Sequence, residues 1–125
     1  MMITSPNNQW LKRARALLSR RGREREGAFL VEGPRALRTV LEAGAQIECV
    51  LLEVTAVEAP ELRAALAAAR VQVETATPGL LGTVFETETP QGWLAVVRSP
   101  ETSGPPAARP ARLVLADRVQ DPGNL

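Results

Sequence analysis

The 125-residue chain, 45% hydrophobic and 23% charged, has enough apolar content for one compact domain and too little length for two of ordinary size. It has no histidine and one cysteine, Cys49, which excludes an internal disulfide, a Cys/His metal centre and the Ser-His-Asp and Cys-His hydrolases. The net charge of +1 conceals an asymmetry: residues 1–38 hold nine basic and three acidic side chains, net +6, whereas the remainder holds six and eleven, net −5.

No apolar run of about 18 residues is present to span a bilayer, and the start lacks the apolar core of a secretory signal. A cytoplasmic location without a membrane partner is the expectation. Ser5-Pro6 predicts a helix start, followed by Trp10, Leu11, Ala14, Leu17 and Leu18 at helical spacing as far as Ser19. These apolar residues share one face, leaving Lys12, Arg13, Arg15 and Arg20 on others. SRRGREREG reads as a polar loop bounded by glycine, and AFLVEG as a short strand ending at Glu32-Gly33.

Gly33-Pro34 opens a second helix that faces Leu37, Val40 and Leu41 inward and stops at Gly44. IECVLLEV is a strand whose run Cys49 to Leu52 implies burial on both faces. An alanine-rich helix opened by Pro60, a short strand VQVET, a brief helix PGLLGTVFE introduced by Thr77-Pro78, and a strand QGWLAVVRS complete the alternation. This order predicts an α/β fold, a small α/β/α sandwich around about four strands with parallel neighbours joined by right-handed crossovers. Residues 99–112, with four prolines, read as a linker, and Leu113 to Ala116 as a buried strand running into Asp-Pro-Gly-Asn. A strand of that length cannot bury itself alone, so the front end of a longer protein is expected.

Several features carry possible chemistry. The cations from Lys12 to Arg38 fit either phosphate neutralisation or a solvated helix face beside a charged loop. Trp10 and Phe29 read as core, and Trp93 is the aromatic best placed for exposure, although core is its favoured reading as well. Glu32-Gly33 and the segment Thr87, Thr89, Pro90, Gln91, Gly92 stand at strand ends, where α/β sheets bind ligands, but equally where helices start and chains turn. Asn124 in DPGNL is a turn residue that offers an amide.

The opening ITSPNNQWLKRARALLSRRGREREGAFLVEGPRALRTVLEAG, the segment TPQGWLAVV and the closing LVLADRVQDPGNL together resemble, in order, the SpoU/TrmH-type (SPOUT class) RNA ribose 2′-O-methyltransferases. The resemblance covers essentially the whole chain. It implies a substrate-binding domain over residues 1–98 similar to ribosomal and kink-turn RNA-binding proteins, the linker 99–112, and the start of a truncated, knotted methyltransferase domain over 113–125. For the full-length protein it implies S-adenosylmethionine as cofactor, RNA, expected to be ribosomal, as substrate, and a homodimer formed through the missing catalytic domain. Of the family's catalytic set only Asn124 is matched, so the fragment is expected to bind RNA, hold no cofactor and transfer no methyl group. RNA contact is assigned to Arg13, Arg20, Arg21, Arg23 and Arg35, with Lys12 and Arg38 in outer support, and Glu32 to positioning the loop and helix start. The alternative is a stand-alone kink-turn or ribosomal-type RNA-binding module, and a third reading is a protein-interaction domain.

Overall fold

A computed structural model describes residues 2–85 and 91–100. Five strands and five helices alternate along them: β1 (Met2–Ile3), α1 (Gln9–Ala16), α2 (Arg20–Glu26), β2 (Ala28–Glu32), α3 (Pro34–Glu42), β3 (Ile47–Glu53), α4 (Pro60–Ala68), β4 (Val73–Ala76), α5 (Gly82–Phe85) and β5 (Trp93–Arg98). The strands form one sheet in the order β1-β4-β3-β5-β2.

Its two faces carry separate cores. Leu11, Ala14 and Leu17 of the α1 segment and Leu80, Leu81 and Val84 around α5 cover Leu30, Cys49, Leu51, Leu94 and Val96. On the other face, Leu37 and Val40 of α3 and Leu62 and Leu66 of α4 cover Val31, Val50, Leu52, Trp93, Ala95 and Val97. Consecutive residues of β3 and β5 feed opposite cores, because side chains alternate across a strand. That is why these strands read as unbroken apolar runs, each fully buried leucine contributing about 2 kcal/mol. The three-layer α/β/α arrangement agrees with the sequence expectation.

Four local expectations are corrected. The first helix begins at Gln9, not at Ser5-Pro6, because the Asn8 side-chain oxygen accepts from the Trp10 N–H at 2.8 Å. It ends at Ala16 rather than near Ser19. SRRGREREG is not a loop: Ser19 caps α2 by accepting from the Gly22 N–H, and Gly27, left-handed at φ 66°, ends it. The sheet has five strands, β1 pairing with β4 through two residues that carry no periodic signal.

The sheet is also mixed. β1, β4 and β3 are mutually parallel, while β5 lies between β3 and β2 and runs antiparallel to both. The carboxyl ends of β2, β3 and β4 therefore meet the amino end of β5 along one edge of the domain. Thr87, Thr89, Pro90, most of the linker, the strand expected from Leu113 and Asn124 lie outside the described residues.

Candidate nucleic-acid interface

The cations of residues 1–38 do not form one continuous patch. α3 starts directly after β2, so Arg35 and Arg38 sit at the carboxyl-end edge, whereas α2 leads into the amino end of β2. The five residues of β2 separate these ends by about 17 Å.

At the amino-end edge, two of the expected contact residues are engaged inside the protein. Arg13 makes a two-pronged bond to Glu48, its Nε at 2.9 Å and Nη2 at 2.8 Å from Oε1, with Nη2 also 3.0 Å from Oε2. Its Nη1 lies 2.7 Å from Glu26. Arg13 and Glu48 are 25% and 18% exposed at the side chain, so the pair is largely shielded from water and salt. It ties α1 to α2 and to the start of β3, and Arg98 joins Glu48 from β5 at 3.5 Å. The Arg23 guanidinium donates to the Leu17 and Leu18 carbonyls at 3.3 and 3.0 Å, satisfying acceptors that α1 leaves open at its C-terminus.

The other cations face solvent. Lys12 and Arg21 are exposed, and no hydrogen bond or ion pair from either side chain is present among the described residues. Arg20 is 86% exposed and only loosely paired with Glu24 at 3.4 Å. Arg15, left out of the expected contact set, donates to the Pro6 carbonyl. At the opposite edge Arg35 is exposed, and Arg38 sits 3.7 Å from Glu61 at the start of α4. Exposed pairs of this kind are worth under about 1 kcal/mol and release their cations readily to a polyanion.

The carboxyl-end edge is tightly built. Gly33 has φ 92°, accepts from Leu37 as α3 begins, and donates to the Trp93 carbonyl at 3.0 Å. A Cβ there would stand 2.3 Å from the Gln91 side-chain oxygen, so the Gln91 amide lies over the β2–α3 corner. Glu32 precedes this corner; the residue as a whole is exposed, yet partial burial of its carboxyl raises its pKa by desolvation. Trp93 is buried, 1% exposed, with its indole N–H donating to the Val57 carbonyl at 2.9 Å, which places it in the core. Phe29 is buried and Trp10 partly buried, also as expected.

Glu53, unmarked by the sequence reading, is the buried charged residue of this edge among the described residues. Its carboxylate accepts from the Leu81 N–H at 2.9 Å and so ties the turn before α5 to the end of β3. The available signal was a carboxylate at the end of the apolar run CVLLE, where an exposed strand end and a buried anchor look alike.

An apolar cleft of about 380 Å³ opens between α3 and the amino end of β2, walled by Phe29, Val40 and Ala43 with Glu26 and Arg98 at its rim. Among the described residues the rim carboxylate, Glu26, is already held 2.7 Å from Arg13, and Arg98 is tied to Glu48 only loosely at 3.5 Å, so the cleft offers no free carboxylate to the amino group of S-adenosylmethionine. These residues do not fit that cofactor.

An α/β/α domain with cations raised at both ends of its sheet is the class that fold and surface define. Residues 8–95 match the model of the MRM3-like substrate binding domain, and the chain belongs to this family. It is 29% identical over 123 residues to the 23S rRNA (guanosine(2553)-2′-O)-methyltransferase RlmP of Bacillus subtilis, a match covering 98% of this chain and 46% of RlmP. A solved RNA 2′-O ribose methyltransferase is 30% identical with a TM-score of 0.67, covering 82% of this chain and 39% of its own. The SpoU methyltransferase AviRb of Streptomyces viridochromogenes, solved with AdoMet, is 27% identical with a TM-score of 0.64, covering 82% and 37%. The resemblance to SpoU-type enzymes is thus upheld, and the chain spans under half the length of these relatives.

Proposed function

We propose that this chain is the RNA-gripping part of an S-adenosylmethionine-dependent ribose 2′-O-methyltransferase acting on ribosomal RNA. The observation that carries this reading is the family match over residues 8–95, supported by RlmP, whose name specifies 23S rRNA and the 2′-O position. Residues 1–98 are then the substrate-binding domain, similar in kind to ribosomal and kink-turn RNA-binding proteins. Residues 99–112 are the linker, and 113–125 begin a knotted methyltransferase domain in which Asn124 belongs to the catalytic set. The full-length enzyme is a cytoplasmic homodimer joined through that domain.

Methylation of a ribose 2′-hydroxyl needs a weak nucleophile held in line with a sulfonium methyl group, beside a group that takes or orients its proton. S-adenosylmethionine supplies the methyl group when bound. The residues of this chain supply RNA binding: Lys12, Arg20, Arg21, Arg35 and Arg38 reach phosphates, while Arg13 and Arg23 hold the framework. Glu32 positions the β2–α3 corner. The test mixes the purified 125-residue chain with ribosomal RNA fragments and labelled S-adenosylmethionine. RNA binding without methyl transfer is expected; transfer above background, or absence of RNA binding at low salt, overturns the reading.

A further inference from the structure

α2 is physically unusual. It is seven residues long, too short to persist alone in water, and the one residue it buries is Gly22. Apolar burial therefore does not hold it in place. Polar anchors do: the Ser19 cap, the Arg23 bonds to the Leu17 and Leu18 carbonyls just past α1, and the Arg13–Glu26 pair. Gly22 permits the close approach, since a Cβ at that position would stand 1.7 Å from the Ala16 carbonyl oxygen.

At about 100° per residue, Gly22, Arg23 and Glu26 face the protein, whereas Arg20, Glu24, Arg21 and Arg25 span the opposite arc. Arg21 and Arg25 stand one turn apart on that arc, about 6 Å between side-chain origins. Arg20 and Arg25 are 86% and 60% exposed, and each is held only loosely by a carboxylate, Arg20 by Glu24 at 3.4 Å and Arg25 by Glu26 at 3.3 Å. The polar anchoring on the inner side and the cationic arc on the outer side belong to one seven-residue element.

We propose that α2 is a sequence-independent arm that grips the sugar-phosphate backbone of RNA through Arg20, Arg21 and Arg25. This rests on the RNA reading above and deepens it, by adding Arg25 and by separating contacting from framework arginines. Guanidinium forks match phosphate oxygens without reading bases, so this face adds affinity to any RNA and no discrimination among sequences. Glu24 is its tuning charge, since it competes with phosphate for Arg20.

The test compares the 125-residue chain with its R20Q/R21Q/R25Q and E24Q forms by fluorescence anisotropy, on a ribosomal RNA fragment and an unrelated single strand, across a salt series. The triple variant should weaken both RNAs alike, by about tenfold at low salt, and flatten the log–log salt slope by about 2, as three lost single-strand phosphate contacts require. Its melting temperature should fall by no more than a few degrees, because the pairs it loses, Arg20–Glu24 and Arg25–Glu26, are loose and their arginines exposed. E24Q should bind both RNAs more tightly, an effect that misfolding cannot imitate. An unchanged slope in the triple variant, or weakening confined to one RNA, overturns the proposal. Loss of binding in R35Q/R38Q with no effect of the triple variant overturns it while leaving the RNA reading intact. Absence of RNA binding by the unaltered chain overturns both.

Discussion

Replacing Arg13 with glutamine separates framework from contact most sharply. Arg13 is three-quarters buried and bridges two carboxylates, of which Glu48 is the more enclosed. Breaking an exposed ion pair costs under about 1 kcal/mol and breaking a fully buried one about 3–5 kcal/mol. Arg98 stays within 3.5 Å of Glu48 and compensates in part, so a cost of about 2 kcal/mol is expected. For a domain of this size that lowers the melting temperature by about 8 °C. Because the pair is shielded, most of the loss should persist in 0.5 M salt, unlike that of a surface pair. Thermal unfolding followed by circular dichroism at two salt concentrations measures it. RNA affinity, measured well below the melting point, should change little. An unaltered melting temperature together with a large loss of RNA affinity would refute the framework role and return Arg13 to the contact set.

Gly22→Ala forces α2 away from α1, since its methyl would collide with a backbone carbonyl, and should cost about 2–3 kcal/mol in urea unfolding. Gly27→Ala meets no atom within 4 Å and bears only the left-handed backbone cost of about 1 kcal/mol, so the reverse ranking would contradict the close-approach account. Burial, aided by the Glu74 carboxylate, pushes the Cys49 thiol up to about 12 from an ordinary 9.0. The unfolded chain then loses this proton first, so stability should fall as pH rises from about 9 towards 12, by up to about 1 kcal/mol per pH unit. With no tyrosine and a single lysine in the chain, few other groups titrate there, and Cys49→Ala should flatten the decline. An equally steep decline in that variant would rule out Cys49 as its source.

Much of the fold was legible because burial writes itself into sequence. Cys49 to Leu52 and Trp93 to Val97 are unbroken apolar runs because helices cover both sides of the sheet, and Pro34 and Pro60 open their helices where the chain turns back over it. α2 was illegible for the complementary reason. A helix held by side-chain to backbone bonds and ion pairs has no apolar periodicity, and its charged residues look like those of a loop. The direction of β5 was hidden too, because a strand buried on both faces has the same pattern in either orientation. At the candidate interface, residue type identified the arginines, yet only geometry separates Arg13 and Arg23, turned inward, from Arg20 and Arg21, turned outward.

Exposed cations at the two ends of the sheet are the proposed grip of this domain on RNA. The salt dependence of binding between the unaltered chain and a single-stranded segment of ribosomal RNA tests it most directly. Six contacts, from Lys12, Arg20, Arg21, Arg25, Arg35 and Arg38, predict a log–log slope of about −4. A slope near zero, or no measurable binding at low salt, would contradict the account.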